Sequence, residues 1–326
     1  MSKPKVLIIT TGGTIAEGIN DVGRLVPLFS GEALIDILQE KFSIRNLVDL
    51  EVIRYCNEDS SQLSMSDWEG LSELVNDELR KDITGIVITH GTDTLVEAAY
   101  FLDLTVDSKK SVVFVGAQRP ATDPYSDGPT NLKDAIIQVI SPKATWGVTI
   151  TMNQMIHDPR YVDKTHTFNI NGFDSGDKGY LGQIFLDKLF KVKDKLNRAH
   201  YPIVKPLAKV GFFSMYSGAS GSDIYFQVDQ EKIEGLVIEG FGLGNVNEKV
   251  YHALKYAINK GIKIVLTSRI KNEMVHPVYG CLGGGVSLQE MGVVFGSDLS
   301  GPKARIALTL LLSLGVESLQ EEFNEL

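Results

Sequence analysis

The feature that most restricts the fold of this chain is the repeated alternation of short, wholly apolar runs with longer stretches of helical period. Val6-Leu7-Ile8-Ile9 is followed by a glycine turn and then by 31–41, where Leu34, Ile35, Ile37 and Leu38 fall on one helical face. The same order returns at 50–55 before 66–80, at 85–89 before 94–104, and at 111–115 before 131–140. Runs buried on both faces and separated by helices indicate βαβ units and a parallel sheet. The pattern therefore predicts an α/β fold whose larger amino-terminal domain, 1–190, is a mostly parallel sheet flanked by helices. After a strand at 146–152 the rhythm changes: the Gly-rich, alternating segment to about 189 reads as hairpin rather than helix.

Residues 191–208, with Pro202 and Pro206 and no sustained period, read as a linker. The basic stretch 188–209, interleaved with Asp194 and apolar residues, reads as solvated connector. A smaller carboxyl-terminal α/β domain is expected over 209–326, with strands at 209–214, 235–239 and 263–267, a helix at 246–259, and a final helix at 302–314 opening on Pro302. Ser64 or Ser66 is placed to cap the helix that follows it, with Asp67 and Glu69 in its first turn.

In an open parallel sheet the ligand sits beyond the carboxyl ends of the strands. The loops of interest are therefore 10–15, 56–61, 90–94 and 116–127. The first reads Thr10-Thr11-Gly12-Gly13-Thr14-Ile15, where paired glycines turn the backbone sharply and present Thr14 at the sheet edge. The third reads Thr89-His90-Gly91-Thr92-Asp93-Thr94, again a glycine beside a hydroxyl, with a carboxylate next to it and a helix following. Either loop alone is accounted for as a turn or a helix cap. Together they would bring two threonine hydroxyls and Asp93 to one pocket, which capping does not require.

A threonine hydroxyl is a weak nucleophile until a neighbour takes its proton. Lys164 is a candidate for that task, although the sequence around it by itself reads as a surface charge.

Several function classes are disfavoured. A formal net charge of -9 with no basic cluster argues against a phosphate-backbone ligand, so no nucleic-acid partner is expected. No apolar run reaches the roughly 18 residues of a membrane span. The six histidines show no zinc spacing, and Gly240-Phe241-Gly242-Leu243-Gly244 lacks the placement of a dinucleotide fingerprint, so neither metal nor cofactor is expected. Two cysteines, Cys56 and Cys281, are too few for a disulfide framework and read as buried apolar side chains of a protein in a reducing compartment. The start Met1-Ser2-Lys3-Pro4-Lys5 has no signal-peptide pattern, and a cytoplasmic location is the expectation.

Thr11-Gly12-Gly13-Thr14-Ile15 and Val87-Ile88-Thr89-His90-Gly91-Thr92-Asp93-Thr94 resemble the two signature motifs of the bacterial-type L-asparaginases, in particular the cytoplasmic kind. Asp59-Ser60-Ser61 with Trp68 resembles that family's substrate-binding loop, Asp127-Gly128 with Asn131-Leu132 the segment after its fourth strand, and Lys164-Thr165 its catalytic lysine region. The agreement in order and spacing runs from about Lys5 to Ala307.

The resemblance implies hydrolysis of L-asparagine to L-aspartate and ammonia through a threonine nucleophile and an acyl-enzyme. It implies that Thr14 attacks the amide, that Thr92, Asp93 and Lys164 form a second triad, and that Asp59 and Ser60 bind the substrate's α-groups. Gly91 and the Gly116-Ala117 turn, through their backbone, would complete the substrate site, with amides near Thr92 and at that turn serving the oxyanion. Asn245 would reach into a partner's site in a homodimer or homotetramer. L-Glutamine remains open as a second substrate, because one methylene is worth only about 1–3 kcal/mol of discrimination.

Two departures stand out. Family members commonly carry a tyrosine in the loop after the first strand, yet no tyrosine lies between Thr14 and Tyr55. Gly283-Gly284-Gly285 stands where secreted members place an acidic residue. Loop 16–30, with Gly18 and Gly23 and bounded by Gly31, reads as a mobile lid. The alternatives are an amidotransferase subunit that deamidates glutamine, which usually has an extra amino-terminal domain, and a non-catalytic asparagine-binding regulatory module.

Overall fold

The computed structural model describes residues 3–326 other than Asn20 and Asn197. Met1 and Ser2 of the expected first domain, Asn20 of loop 16–30 and Asn197 of the linker lie outside the described residues. The chain separates into two compact units, 1–197 and 198–326.

The first unit runs β1 (Lys5–Thr10), β2 (Glu17–Ile19), β3 (Leu25–Pro27), α1 (Gly31–Phe42), β4 (Asp49–Arg54), α2 (Met65–Leu79), β5 (Gly85–Thr89), α3 (Leu95–Thr105), β6 (Ser111–Val115), α4 (Gly128–Ile140), β7 (Val148–Met152), β8 (Met155–His157), β9 (Asp163–Lys164), β10 (Phe173–Asp174), β11 (Gly182–Phe185) and β12 (Lys188–Lys191). Eight of these strands form one sheet in the order β12-β11-β8-β7-β6-β5-β1-β4. Pairing is parallel from β4 through β7 and antiparallel from β7 to β12. The parallel sheet and the hairpin rhythm after 152 are thus as the sequence indicates.

Side chains alternate across the sheet. Val6, Ile8, Val87, Val113 and Val115 form one core with Leu34, Ile35 and Leu38 of α1 and Leu132, Ala135 and Ile136 of α4. Leu7, Ile9, Ile86, Ile88 and Phe114, also buried, point to the opposite face, which α2 and α3 cover, with Trp68 and Phe101 in ring contact. The helices begin where side chains satisfy their free amide donors. Ser30 accepts from the Ala33 amide at 3.2 Å, and the Asp67 carboxylate accepts from the Ser64 amide at 2.7 Å.

This arrangement creates a switch point. The chain leaves β1 for α1 on one face and β5 for α3 on the other, although β1 and β5 are neighbours. Their following loops diverge and leave a crevice at the carboxyl ends.

The second unit contains β13 (Val210–Ser214), α5 (Ser222–Phe226), β14 (Gly235–Gly240), α6 (Glu248–Asn259), β15 (Lys263–Ser268), α7 (Gly285–Glu290), β16 (Val294–Phe295), α8 (Gly301–Leu314) and α9 (Leu319–Glu325). Its parallel sheet has the order β13-β14-β15-β16. Leu236, Ile238, Leu266, Val250 and Leu254 build its core.

Some expectations need correction. Residues 302–314 are not the final helix: α9 follows, and with Leu319 and Phe323 as its buried residues it is too short to show a period. Lys188–Lys191 is not connector but strand β12, paired with β11. Only Leu189 in β12 is buried, which is why the strand reads as charged loop. Loop 16–30 contains the antiparallel hairpin β2-β3, with Gly18 opposite Val26. Cys281 is exposed and Cys56 half-buried, so neither is a core side chain. Among the described residues no helix is long and apolar enough to cross a membrane.

Candidate active site

The loop after β1 is locked to the loop after β5. The Thr11 amide and hydroxyl both donate to the Thr89 carbonyl, at 3.1 and 3.0 Å. Gly13, at φ 81°, lies so close to the second loop that a Cβ there would sit 2.3 Å from Gly91 Cα. Gly91 in turn leaves no room for a side chain against Ser60, whose Oγ a Cβ would meet at 2.7 Å. The first two loops therefore meet backbone to backbone, which only glycine at Gly13 permits, and the Ser60 side chain packs directly on Gly91.

His90 is fully buried, and burial holds its imidazole down to about 4, so it is neutral at neutral pH. Its Nδ1 lies 2.8 Å from the Gly91 carbonyl. A carbonyl only accepts, so Nδ1 carries the proton and His90 orients the turn.

These loops border a cavity of about 490 Å³ lined by Gly13, Thr14, Glu17, Asp59, Ser60, Ser61, Gly91, Thr92, Asp93, Gln118, Pro120, Lys164, Thr167 and Phe168. Thr14 and Thr92 thus face the same space from neighbouring strands. Thr92 is 6% exposed, and its Oγ1 accepts from Lys164 Nζ at 2.9 Å. The same ammonium lies 2.7 Å from Asp93 Oδ1. Lys164 is held on β9 opposite Phe173, and it is not the free surface charge that its local sequence allowed. Asp93 keeps two thirds of its side-chain surface open, at 66%, which leaves its carboxylate available to a cationic group.

Ser60 has two duties. Its hydroxyl oxygen accepts from the Asp93 and Thr94 amides at 3.2 and 3.4 Å, so it caps the start of α3 from another loop. Its hydroxyl proton remains for a ligand oxygen.

The Gly116-Ala117 turn follows β6. The Gly116 amide points at Met152 Sδ, 3.3 Å away, and the Ala117 methyl is packed in the sheet core. Gln118 and Pro120 line the cavity from this loop. The Gln118 amide donates to both Asp127 carboxylate oxygens at 3.1 Å, and its Nε2 donates to the Asn169 carbonyl at 3.0 Å. Asn131 braces the loop by donating to Asp127 Oδ2 at 2.9 Å.

Asn245 belongs to the second unit, where its backbone exchanges 2.8 Å hydrogen bonds with Phe241. Its side-chain Oδ1 is buried with no hydrogen-bond partner among the described residues.

Glu17 is the acidic residue that sequence reasoning passed over. It is 6% exposed and lines the cavity beside Thr14 and Asp59. Burial raises its carboxyl from the usual 4.5 to about 7, helped by a hydrogen bond to Asp59 and that carboxylate's charge; a hydrogen bond from Thr14 works the other way. The available signal was a carboxylate three residues after Thr14 in a chain without the lid tyrosine. Gln118 carried no such signal, since its place depends on how the loop after β6 folds back. Among the described residues no group of three or more His, Cys, Asp or Glu is placed to hold a metal ion.

Residues 5–197 match the family described as Asparaginase, N-terminal, and residues 209–323 match the Glutaminase/Asparaginase C-terminal domain. The chain is 34% identical to an L-asparaginase of Bacillus licheniformis, over 98% of each chain. It is 32% identical to L-asparaginase 2 of Escherichia coli strain K12, over 100% of this chain and 94% of that one. The crystal structure of a probable cytoplasmic L-asparaginase from Campylobacter jejuni matches with a TM-score of 0.89 at 33% identity, covering 99% of this chain and 100% of that one.

Proposed function

This chain belongs to the bacterial-type L-asparaginase family of amidohydrolases, and from that premise we propose that it hydrolyses L-asparagine to L-aspartate and ammonia with Thr14 as nucleophile. The observation that carries the reading is the convergence of Thr14 and Thr92 on one cavity, with Lys164 Nζ 2.9 Å from Thr92 Oγ1.

In the first step Thr14 Oγ1 forms a bond to the side-chain amide carbon, and collapse of the oxyanion expels ammonia to leave an acyl-threonine. Water then attacks that ester and frees the carboxylate and the hydroxyl. Thr92, Lys164 and Asp93 form a second set: the Lys164 ammonium donates to Thr92 Oγ1 and orients that hydroxyl, and Asp93 both neutralises Lys164 and faces the substrate's ammonium. Asp59 binds the same α-ammonium, and the free proton of Ser60 serves the α-carboxylate. The Asp93 and Gly116 amides are already engaged, so we assign the oxyanion to the Thr92 amide. A donor of this kind is worth about 100- to 1000-fold in rate.

We further propose that residues 1–190 carry the catalytic groups, that 191–208 connect them to a second domain at 209–326, and that the enzyme works in the cytoplasm as a homodimer or homotetramer with Asn245 offered to a partner's site.

The test is ammonia release from asparagine by the purified protein and its Thr14→Ala and Thr92→Val variants. Each variant is expected to lose turnover with an unchanged circular dichroism spectrum, because each loses a reacting hydroxyl rather than packing. A flat trace from the wild-type protein beside measurable asparagine binding would instead mark a non-catalytic binding module.

A further inference from the structure

The missing tyrosine leaves a question that the fold answers with a different residue. Nothing in the loop sequence after β1 resembles a phenol, yet a carboxyl is built into the cavity wall beside Thr14. Glu17 closes the short turn that begins at Thr14, its amide donating to the Thr14 carbonyl. Its own carbonyl accepts from the Ala121 amide at 2.8 Å, and it pairs with Pro27 across the hairpin. The backbone on both sides therefore fixes where its side chain starts. The residue is only 6% exposed, it lines the cavity with Thr14 and Asp59, and hydrogen bonding with the Thr14 hydroxyl and the Asp59 carboxyl acts on its carboxyl.

We propose that Glu17 is the general base that takes the proton from Thr14 Oγ1 as that oxygen attacks the amide carbon. The assignment rests on the reading of Thr14 as nucleophile. As the O–C bond forms, the Thr14 proton passes to a Glu17 oxygen and the carbonyl electron pair moves to the oxyanion. When the oxyanion collapses, the C–N bond breaks and Glu17 returns the proton to the departing nitrogen, giving ammonia. In the second half Glu17 takes a proton from the attacking water, the acyl C–O bond breaks, and the proton passes to Thr14. No external acid, base or cofactor is consumed.

The charged groups that face Glu17 set its behaviour. Asp59 and Asp93 raise its carboxyl, and Lys164 lies across the cavity. A protonated Glu17 donates to Asp59, whereas an ionised Glu17 accepts from Thr14. A substrate ammonium at Asp59 adds a positive charge beside the pair and favours the ionised form. Binding of the α-amino group thus readies the base. A base titrating near 7 is matched to neutral conditions, since a weaker one transfers the proton poorly and a stronger one is already protonated.

The base must be ionised, so kcat/KM falls as pH drops through about 7, the free-enzyme value set by burial and Asp59, and kcat falls at lower pH because the bound ammonium favours the ionised form. The experiment measures kcat and KM from pH 5 to pH 9 for wild type, Glu17→Gln, Glu17→Asp, Asp59→Asn and Thr14→Ala. Glu17→Gln is expected to lower kcat about 100- to 10,000-fold and to remove the acid limb, whereas a role limited to holding Asp59 would raise KM and leave the limb. Asp59→Asn shifts the acid limb of kcat/KM to lower pH. Should Glu17→Gln not fold, the wild-type profile decides by itself, because a kcat/KM flat across the acid range excludes this base. A Glu17→Gln enzyme with wild-type kcat beside an inactive Thr14→Ala overturns Glu17 alone. Turnover retained in Thr14→Ala as well overturns the nucleophile instead.

Discussion

The closeness of the two threonine loops can be tested with a single methyl group. Gly13 has φ 81° and ψ 177°, a region that is essentially glycine's alone, and holding another residue there costs about 1–3 kcal/mol. In Gly13→Ala the new Cβ would also stand 2.3 Å from Gly91 Cα and 2.5 Å from Gly91 N, where ordinary contact begins at 3.4 Å. Both obstacles are backbone, so no side chain can swing aside. The loop carrying Thr14 must therefore move away from the loop carrying Thr92 by roughly 1 Å, and an error of that size in a reacting group costs about 100-fold in rate.

Gly179 provides the control. It has nearly the same backbone, φ 64° and ψ 176°, but nothing lies within 4 Å of a Cβ built there. Thermal denaturation and ammonia release are measured on both variants. Both should lose about 2–12 °C in Tm from strain alone, at about 2–4 °C per kcal/mol for units of this size. Only Gly13→Ala should also lose about two orders of magnitude in kcat. Wild-type kcat in Gly13→Ala, or an equal loss in Gly179→Ala, would refute the claim that loop contact sets the spacing of the two hydroxyls.

Other outcomes are expected. Lys164→Met leaves the Thr92 hydroxyl without its 2.9 Å partner and should reduce kcat by about 100- to 10,000-fold; a steady-state assay with unchanged kcat would remove Lys164 from the chemistry. Asp134 is buried, and desolvation raises its carboxyl from 3.8 to about 6. The folded protein therefore holds this proton more tightly than the unfolded chain, and that contribution is lost as pH rises from about 4 through about 6. Asp134→Asn escapes the loss, so relative to wild type it should gain about 3 kcal/mol in stability between pH 4 and pH 8; urea titrations showing no pH-dependent difference would contradict it. Aspartate should protect the β2-β3 hairpin from proteolysis if this segment closes over the ligand, and equal cleavage with and without aspartate would count against a lid.

The sequence by itself determined the parallel sheet, most of its strands and helices, and the loops that meet at the cavity. These follow from local rules: wholly apolar runs such as Val6 to Ile9 can only be buried on both faces, and glycine pairs announce sharp turns. It also contained Thr14, Thr92, Asp93 and Lys164, because a hydroxyl beside glycine at a strand end is a readable pattern.

Tertiary structure alone decided which of these face one another. The order in which β1 and β5 become neighbours is a choice among sheet topologies, and no local periodicity encodes it. The reach of Lys164 to Thr92 across 72 residues depends on a two-residue strand pairing. The engagement of the Gly116 amide by Met152 depends on β7 lying beside β6. Glu17 makes the distinction most clearly: in sequence it is one acidic residue among many, and only burial next to Thr14 and Asp59 gives its carboxyl a proton affinity suited to catalysis. Residue type supplies the chemical groups, whereas their solvation and their neighbours, which set their reactivity, exist only once the chain has folded.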